Sequence, residues 1–378
     1  MEKFPLCGFC MGRFSEGPAS IAAGDAECRI CRGAMGEAGG LIELAVSSAQ
    51  DFEWETFSVS STFPKDVFLR EEELADFAGP GHFTSIKNSA NALLAAGISK
   101  ATGKRNSQRE GDAVFEFDFK KLSARARPSS LYVFGHYLKF SRSHCQSRWH
   151  CSDCGGKGCE SCGGSGRNYP SIEDELGGPV AAAFNAEEFT LHASGREDVD
   201  VRALGSGRPF VLELRNPKKR VADLAGVEKR LSENKNVSAI GLKMVRKRFL
   251  DSVCNSHFDK EYSALVSASR PFGSQDAKKI ESLAGKTIFQ QTPNRVLSRR
   301  ADMERKRKIL SISAKPDGKG KLRIHLLAEA GTYIKELVSS DGGRTRPSVS
   351  ELLSCNAVCE GLDVVCIRDY FLKTVRID

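Results

Sequence analysis

Between Gly195 and Arg220 the chain reads GREDVDVRALGSGRPFVLELRNPKKR, and Arg196, Glu197, Asp198, Asp200 and Arg202 crowd ahead of a strand-like run from Pro209 to Leu214. A carboxylate beside a guanidinium stays ionised because the neighbouring charge holds its pKa down, while the same arginine can still grip a phosphate. A carboxylate so placed can act as a nucleophile or a base. The run also reads as a solvated loop of ion pairs, and residue types alone leave both readings open.

Two further segments carry polar groups that a simple fold does not need. Gln290 to Lys308, QQTPNRVLSRRADMERKRK, holds seven Arg or Lys against Asp302 and Glu304. The acids cannot neutralise it, and cations interleaved with Gln and Thr donors suit a phosphate backbone. Ala330 to Leu353, AGTYIKELVSSDGGRTRPSVSELL, opens a helix near Tyr333 and Lys335 and follows it with Arg344 and Arg346 after a Gly-Gly turn. Phosphate loops, Rossmann glycine fingerprints, H-E-x-x-H and G-x-S-x-G elbows are all missing. In LGSGRPF, Pro209 forbids the helix start that a dinucleotide site requires.

Thirteen cysteines, an odd number, argue against a closed disulfide framework and for metal. Cys7, Cys10, Cys28 and Cys31 form two C-x2-C pairs, a spacing that lets two tight turns deliver four thiolates to one zinc ion. With all four positions filled by Cys, the site is closed and structural. Cys151, Cys154, Cys159 and Cys162 repeat the pattern over a shorter, glycine-rich loop, which fits either a second zinc, with His144, Cys145 or His150 as substitute ligands, or a reducible linker. Cys254, Cys355, Cys359 and Cys366 lack metal spacing and read as structural thiols.

The elements that must position these groups are mixed. Ser58–Phe63 and Ala113–Phe119 alternate as strands, and Ser89–Ala96 has helical spacing. Ser129 to Arg142 ends in an aromatic and basic cluster that includes Lys139 and Arg142, and it reads either as a base-stacking, phosphate-holding surface or as an amphipathic strand with a solvated face. Ser171 caps a helix, with Asp174 three residues on. Helical spacing returns at Val221, Leu224, Val227 and Leu231 and at Ala277, Ile280 and Leu283. Strands are expected at Val237–Val245 and Lys260–Ser267, and a hairpin over Lys308–Ala330 turns at Pro316, Asp317 and Gly318. An α+β protein follows. The 378 residues allow two or three domains, and 28% charged with 40% hydrophobic residues describes a globular chain. No run nears the roughly 18 apolar residues of a membrane helix. The N-terminal MEKFPLCGFCMGRF lacks the apolar core of a secretion signal, so a cytoplasmic location is expected. The formal charge of +8 suits a polyanionic partner.

The stretches GREDVDVRALGSGRPFVLELRNPKK, QTPNRVLSRRAD and AGTYIKELVSSDGGRTRPSVSELL, with YLKFSR, QSRWHCSDC and the N-terminal cysteine pairs, resemble the archaeal and eukaryotic family of tRNA pseudouridine synthases that modify uridines 54 and 55 in the TΨC arm. The resemblance implies zinc-binding knuckles over residues 1–40 and a THUMP-like RNA-binding module over 41–145. A Cys/Gly-rich linker with a possible second zinc site would cover 146–170, and a pseudouridine synthase catalytic domain 171–378. It implies Asp198 as the catalytic nucleophile or base, with Asp200 the less favoured choice two residues on. Lys335 would pair with the aspartate, and Tyr262 and Tyr333 would hold uracil. Arg196, Arg202 and Arg208 are expected to bind substrate. Lys139, Arg142, Lys218, Lys219, Arg220, Arg295, Arg299, Arg300 and Arg344 are expected to bind RNA. Structural zinc, no organic cofactor, tRNA as partner, no membrane and no obligate protein partner complete the expectation. Ser298 stands where the family commonly has histidine. A non-catalytic, zinc-containing RNA-binding or RNA-chaperone protein is the rival reading.

Overall fold

A computed structural model describes residues 4–14, 20–78, 83–107, 110–273, 275–318 and 320–373. It divides into two compact units. The first contains residues 1–130, 184–187 and 215–222, and the second contains 131–183, 188–214 and 223–378.

The first unit begins with β1 (Phe4–Leu6), the single turn α1 (Gly8–Met11) and β2 (Ser20–Ala22), which bracket the first cysteine pair. Then follow α2 (Ala38–Ser47), β3 (Thr56–Thr62), α3 (Lys65–Ala78), α4 (Ile86–Thr102), β4 (Arg105–Asn106), β5 (Ala113–Asp118) and β6 (Ser123–Pro128). Strands β4-β3-β5-β6 make one sheet, in which β3 runs parallel to β4 and β5. Alternation in Val-Phe-Glu-Phe-Asp-Phe works as its period demands. Phe115 and Phe117 face the core, while Glu116 faces outward to Arg125 and Arg127. Phe57, Phe115 and Trp54 meet edge to face, a favoured geometry for burying large rings. Ser85 caps α4 and Gly103 ends it in a left-handed conformation.

The second unit is built on one ten-stranded mixed sheet. Its strands are β7 (Leu131–Lys139), β8 (Glu188–Ala193), β9 (Arg202–Arg215), β10 (Val237–Val245), β11 (Lys260–Ala268), β12 (Thr287–Gln290), β13 (Arg305–Pro316), β14 (Lys321–Ala328), β15 (Thr345–Arg346) and β16 (Ala357–Ile367). The order is β10-β7-β9-β16-β11-β14-β13-β12-β15, with β8 against β9. β9 and β16 pair in parallel, with Asp363 opposite Arg202. Six helices accompany the sheet: α5 (Ile172–Phe184), α6 (Leu224–Ser232), α7 (Lys247–Cys254), α8 (Asp276–Glu281), α9 (Ile334–Ser339) and α10 (Val349–Leu353). Phe249 and Val253 of α7, Ile280 of α8, Leu337 and Val338 of α9 and Leu353 of α10 join Tyr262, Ala264 and Val266 of β11 in one apolar cluster. That cluster holds the site's elements against a rigid floor.

The expected strands, helices and hairpin are present, save that α6 begins at Leu224 behind the Asp223 cap and leaves Val221 outside it, and Ser171 Oγ accepts from the Asp174 amide as the cap requires. The division of the chain differs from the expected one. Residues 131–139, expected in the RNA-binding module, form β7 and lie between β10 and β9 in the second sheet. The cysteine-rich stretch 146–170 lies within the second unit, and 215–222 lies within the first. Backbone pairing set far along the chain decides these memberships, and local composition does not carry that information.

Candidate active site and cysteine knuckles

The loop from Ser194 to Val201 joins β8 to β9, and its own side chains and those beneath it fix its path. Tyr137 of β7 lies opposite Arg208 of β9 in the antiparallel register, so both reach Glu197 from below. The Arg208 guanidinium, 1% exposed, makes a 2.7 Å ion contact with Glu197, and the Tyr137 hydroxyl donates to the same carboxylate at 2.8 Å. Burial works against the Arg208 charge, but the Glu197 carboxylate more than offsets it and its pKa is raised. Gln146 donates to the Tyr137 oxygen and to the Gly195 carbonyl. Arg208 donates to the Ser194 carbonyl at 2.8 Å.

Lys139 and Arg142 complete the anchoring. Lys139, wholly buried, donates from Nζ to the carbonyls of Asp198 at 3.0 Å and Val199 at 2.7 Å. Burial pushes its ammonium down to about 8, against the pull of the Glu197, Asp200 and Asp198 carboxylates. Arg142 donates to the carbonyls of Asp200 and Leu362 and to the Asp363 carboxylate. Five successive or near-successive loop carbonyls, at residues 194, 195, 198, 199 and 200, are thus tied down by side chains. A backbone so constrained presents its side chains in one geometry, which is what a reacting group needs.

Asp198 points from this loop with its side chain 39% exposed. Arg295, in the 3-10 helix Asn294–Arg299, donates to Asp198 Oδ1 at 2.9 Å and from Nε to Glu336 of α9 at 2.7 Å. Burial would lower the Arg295 pKa, but Glu336 and Asp198 raise it, so its charge is secure. Lys335 lies 3.3 Å from Asp198 Oδ2 and donates to both oxygens of Asp200 at 2.7 Å. Burial pushes Asp200 up, yet those Lys335 bonds prevail and hold it below the usual carboxylate range. Tyr333 precedes α9, and the buried Gln290 side chain grips both its N–H and its carbonyl at 2.9 Å. Its hydroxyl accepts from Arg300 at 3.1 Å.

Asp198, Asp200, Lys335 and Tyr333 therefore share one region, with Arg295 the cation bonded to Asp198. Sequence reasoning placed Arg295 among RNA-binding cations, and its arrangement with Glu336 three-dimensionally behind it gave no local signal. Arg208 and Lys139 lie beneath the loop as its anchors, without the exposure of a substrate or RNA contact. Arg202 and Arg142 both hold Asp363, Arg202 at 2.8 and 2.6 Å, because β9 and β16 set those residues opposite one another. Tyr262 is nearly buried in β11, with burial pushing its hydroxyl up to about 12, and no hydrogen bond joins it to Asp198. Arg344 donates to the Thr292 carbonyl and pairs with Asp302. Arg196 and Arg299 are exposed, with no carboxylate partner among the described residues. Lys218, Lys219 and Arg220 belong to the first unit, where Arg220 pairs with Asp112 at 3.3 Å.

Both sets of four cysteines bring their sulfurs within 4.8 Å of one another, so each could hold a metal ion. Cys7, Cys10, Cys28 and Cys31 are buried. In the second set, the amides of Gly158, Cys159 and Gly166 donate to Cys154 and Cys162 sulfurs at 3.2 Å. Amides aimed at sulfur favour the thiolate that a metal requires. Cys145 donates to the Ser147 carbonyl and His144 bonds Ser141, so neither joins the second set.

A mixed sheet carrying a carboxylate in a cation-pinned loop defines the second unit as a protein with a carboxylate-centred site, and each unit holds one cysteine knuckle. A family model described as "Pus10, C-terminal" matches residues 132–368. The tRNA pseudouridine synthase Pus10 of Korarchaeum cryptofilum is 35% identical over 347 residues, covering 89% of this chain and 92% of that protein. That of Archaeoglobus fulgidus is 34% identical over 364 residues, covering 96% and 99%. Likeness to solved structures is slight: a Cbf5-Nop10-Gar1 complex aligns at 17% identity and TM-score 0.34, over 52% of this chain and 45% of that one. The chain belongs to the Pus10 family.

Proposed function

We propose that the chain is a tRNA pseudouridine synthase, an isomerase that acts on uridine 54, uridine 55 or both in the TΨC arm, with Asp198 as the reacting carboxylate. The activity is that of the relatives it matches along nearly their whole length. Isomerisation breaks the bond from uracil N1 to sugar C1′ and joins C5 to C1′. The proton lost from C5 is matched by the one gained at N1, so no electron or group comes from outside and no organic cofactor is needed. Asp198 opens the sequence as nucleophile or base.

The single observation that carries Asp198 over Asp200 is how each carboxylate is bound. Asp200 has both oxygens engaged by Lys335 and its side chain is 62% exposed. Asp198 is less exposed, at 39%, is fixed through its own carbonyl by buried Lys139, and has both oxygens 2.9 Å from the Arg295 guanidinium, whose far side is held by the buried Glu336. Arg295 and Lys335 keep the carboxylate aimed. Tyr333, clamped by Gln290, and the nearly buried Tyr262 hold uracil. Reaching a uridine inside a folded loop requires its extrusion, whose cost of a few kcal/mol stacking and phosphate contacts offset. Arg196, Arg299 and Arg300 are the cations of the second unit available to RNA, and Lys218 and Lys219 are exposed cations of the first. The first unit is read as the THUMP-like RNA-binding module. Both cysteine sets are read as structural zinc sites, since four thiolates make a closed tetrahedral shell. With tRNA as substrate, the protein is assigned to the cytoplasm.

Incubating the purified chain with an unmodified tRNA transcript and mapping pseudouridine tests the reading. Pseudouridine at 54, 55 or both is expected. A transcript that is bound but leaves with every uridine intact would establish a pure RNA-binding protein instead.

A further inference from the structure

The second cysteine knuckle carries two aromatic side chains that the chemistry above leaves unused. Trp149 comes just before the first ligand pair and Tyr169 follows the second. The Asn168 amide donates to the Trp149 carbonyl at 2.9 Å, and His150 bridges to Arg167, so the knuckle's two ends run side by side. Their rings lie 5.6 Å apart at 48°. Tyr169 is 40% exposed, and neither ring belongs to an apolar core cluster. Over Trp149, 4.9 Å from its centroid, sits the guanidinium of Arg299.

Two tethers bring this group to the reacting carboxylate. Arg299 shares its 3-10 helix with Arg295, the residue bonded to Asp198, and four residues of such a helix advance about 8 Å. On the other side, Gln146 donates to the Gly195 carbonyl of the Asp198 loop and precedes Trp149 by three residues, a span of at most about 10 Å. A half-buried Trp149 beside an exposed Tyr169, topped by a guanidinium with no carboxylate partner among the described residues, at the rim of a site for an extruded base, suits one chemistry. Extrusion strips the neighbouring base of its stacking partner, and aromatic rings and guanidinium planes replace that partner whatever the base.

We infer that Trp149, Tyr169 and Arg299 form a stacking platform for the base of an unpaired RNA nucleotide adjoining the target uridine. This rests on the proposed reaction and names a further contact for its substrate. The base layers on the Arg299 guanidinium, extending the stack that begins with the Trp149 ring. The four thiolates hold the two ends of the knuckle together and so keep the aromatic pair in place.

The test is a binding cycle on the full chain. Dissociation constants are measured for an unmodified tRNA transcript and for transcripts carrying a single abasic nucleotide at each position flanking the target in turn. Trp149→Ala is expected to weaken intact tRNA about tenfold, with KM rising alongside, and Trp149→Phe to restore most of it. Against the one transcript that lacks the stacked base, wild type and Trp149→Ala should bind alike. Tyr169→Ala, an exposed change, should show the same dependence if Trp149→Ala proves poorly folded. Wild-type affinity in both alanine variants, or an equal loss on every abasic transcript, would overturn the platform. If the base-specific loss is seen while wild type forms no pseudouridine, the platform stands and the reaction assignment fails.

Discussion

Beneath Asp198 lies a buried ammonium, and its titration gives the site a pH signature. Lys139 is held at about 8, against an ordinary 10.5, because burial disfavours its charge. Between those values the unfolded chain binds a proton that the folded chain does not, so folding stability rises with pH across that window. Lys260, buried to the same effect at about 8, titrates in both proteins when wild type is compared with Lys139→Met and so cancels. Denaturant titrations of the pair should show wild type gaining on the variant from about pH 8 to 10.5. A difference that does not change with pH would rule out a strained ammonium there. The Glu197–Arg208 pair makes a second prediction at this scale. Arg208→Met strands a buried carboxylate and should cost about 3–5 kcal/mol by the same measurement. Arg196 is exposed and without a carboxylate partner among the described residues, so Arg196→Ala should reduce the salt dependence of tRNA binding by about one phosphate contact, read as a slope change near 1 in log K against log salt.

At the scale of elements, the site depends on how β9 enters the sheet. Gly205 sits at φ +57, and a Cβ built there would lie 1.9 Å from the Val365 carbonyl oxygen of β16. Gly205→Ala should therefore force β9 off β16, separating Arg202 from Asp363, with a loss of about 2 kcal/mol or more by thermal or denaturant unfolding. The same strand shows what the chain discloses by itself. Pro209–Leu214 and the alternating Ala113–Phe119 were legible as strands because a buried face imposes period two. The Ser194–Val201 loop was legible as a concentration of acids and arginines. The cations under it were not. Lys139 and Arg142 look like phosphate binders in a basic, aromatic run, and only the β7–β9 register turns Lys139 beneath the loop. Arg208 became an anchor for the same reason: its partner Glu197 lies across a turn, and burial of a guanidinium cannot be read from its type. Arg295 was legible as a cation but not as the partner of Asp198, since that contact spans 97 residues of chain.

For the whole molecule, the surplus of cysteine resolves into two four-sulfur sets, one in each unit. Spacing made the first plain and the second open, and proximity of the sulfurs brings the second level with the first. Metal analysis should find two zinc ions per chain. Cys7→Ser with Cys10→Ser should lower the unfolding temperature of the first unit and leave that of the second unchanged, because each unit has its own core. A metal-free protein of unchanged stability would contradict both sites. Five of the arginines behind the charge of +8, Arg142, Arg202, Arg208, Arg295 and Arg344, are engaged by Asp363, Glu197, Glu336 and Asp302.

The loop anchors, the Arg295–Glu336 pair and Lys335 all bear on one carboxylate, Asp198. Asp198→Asn keeps the size of the side chain and a hydrogen-bonding oxygen for Arg295 but removes the charge. Wild type and Asp198→Asn are compared on one unmodified tRNA transcript, with affinity and pseudouridine content measured together. The expected result is tRNA binding close to wild type and no pseudouridine at any position. Pseudouridine formed by Asp198→Asn at the wild-type rate would contradict the assignment of Asp198 as the reacting group.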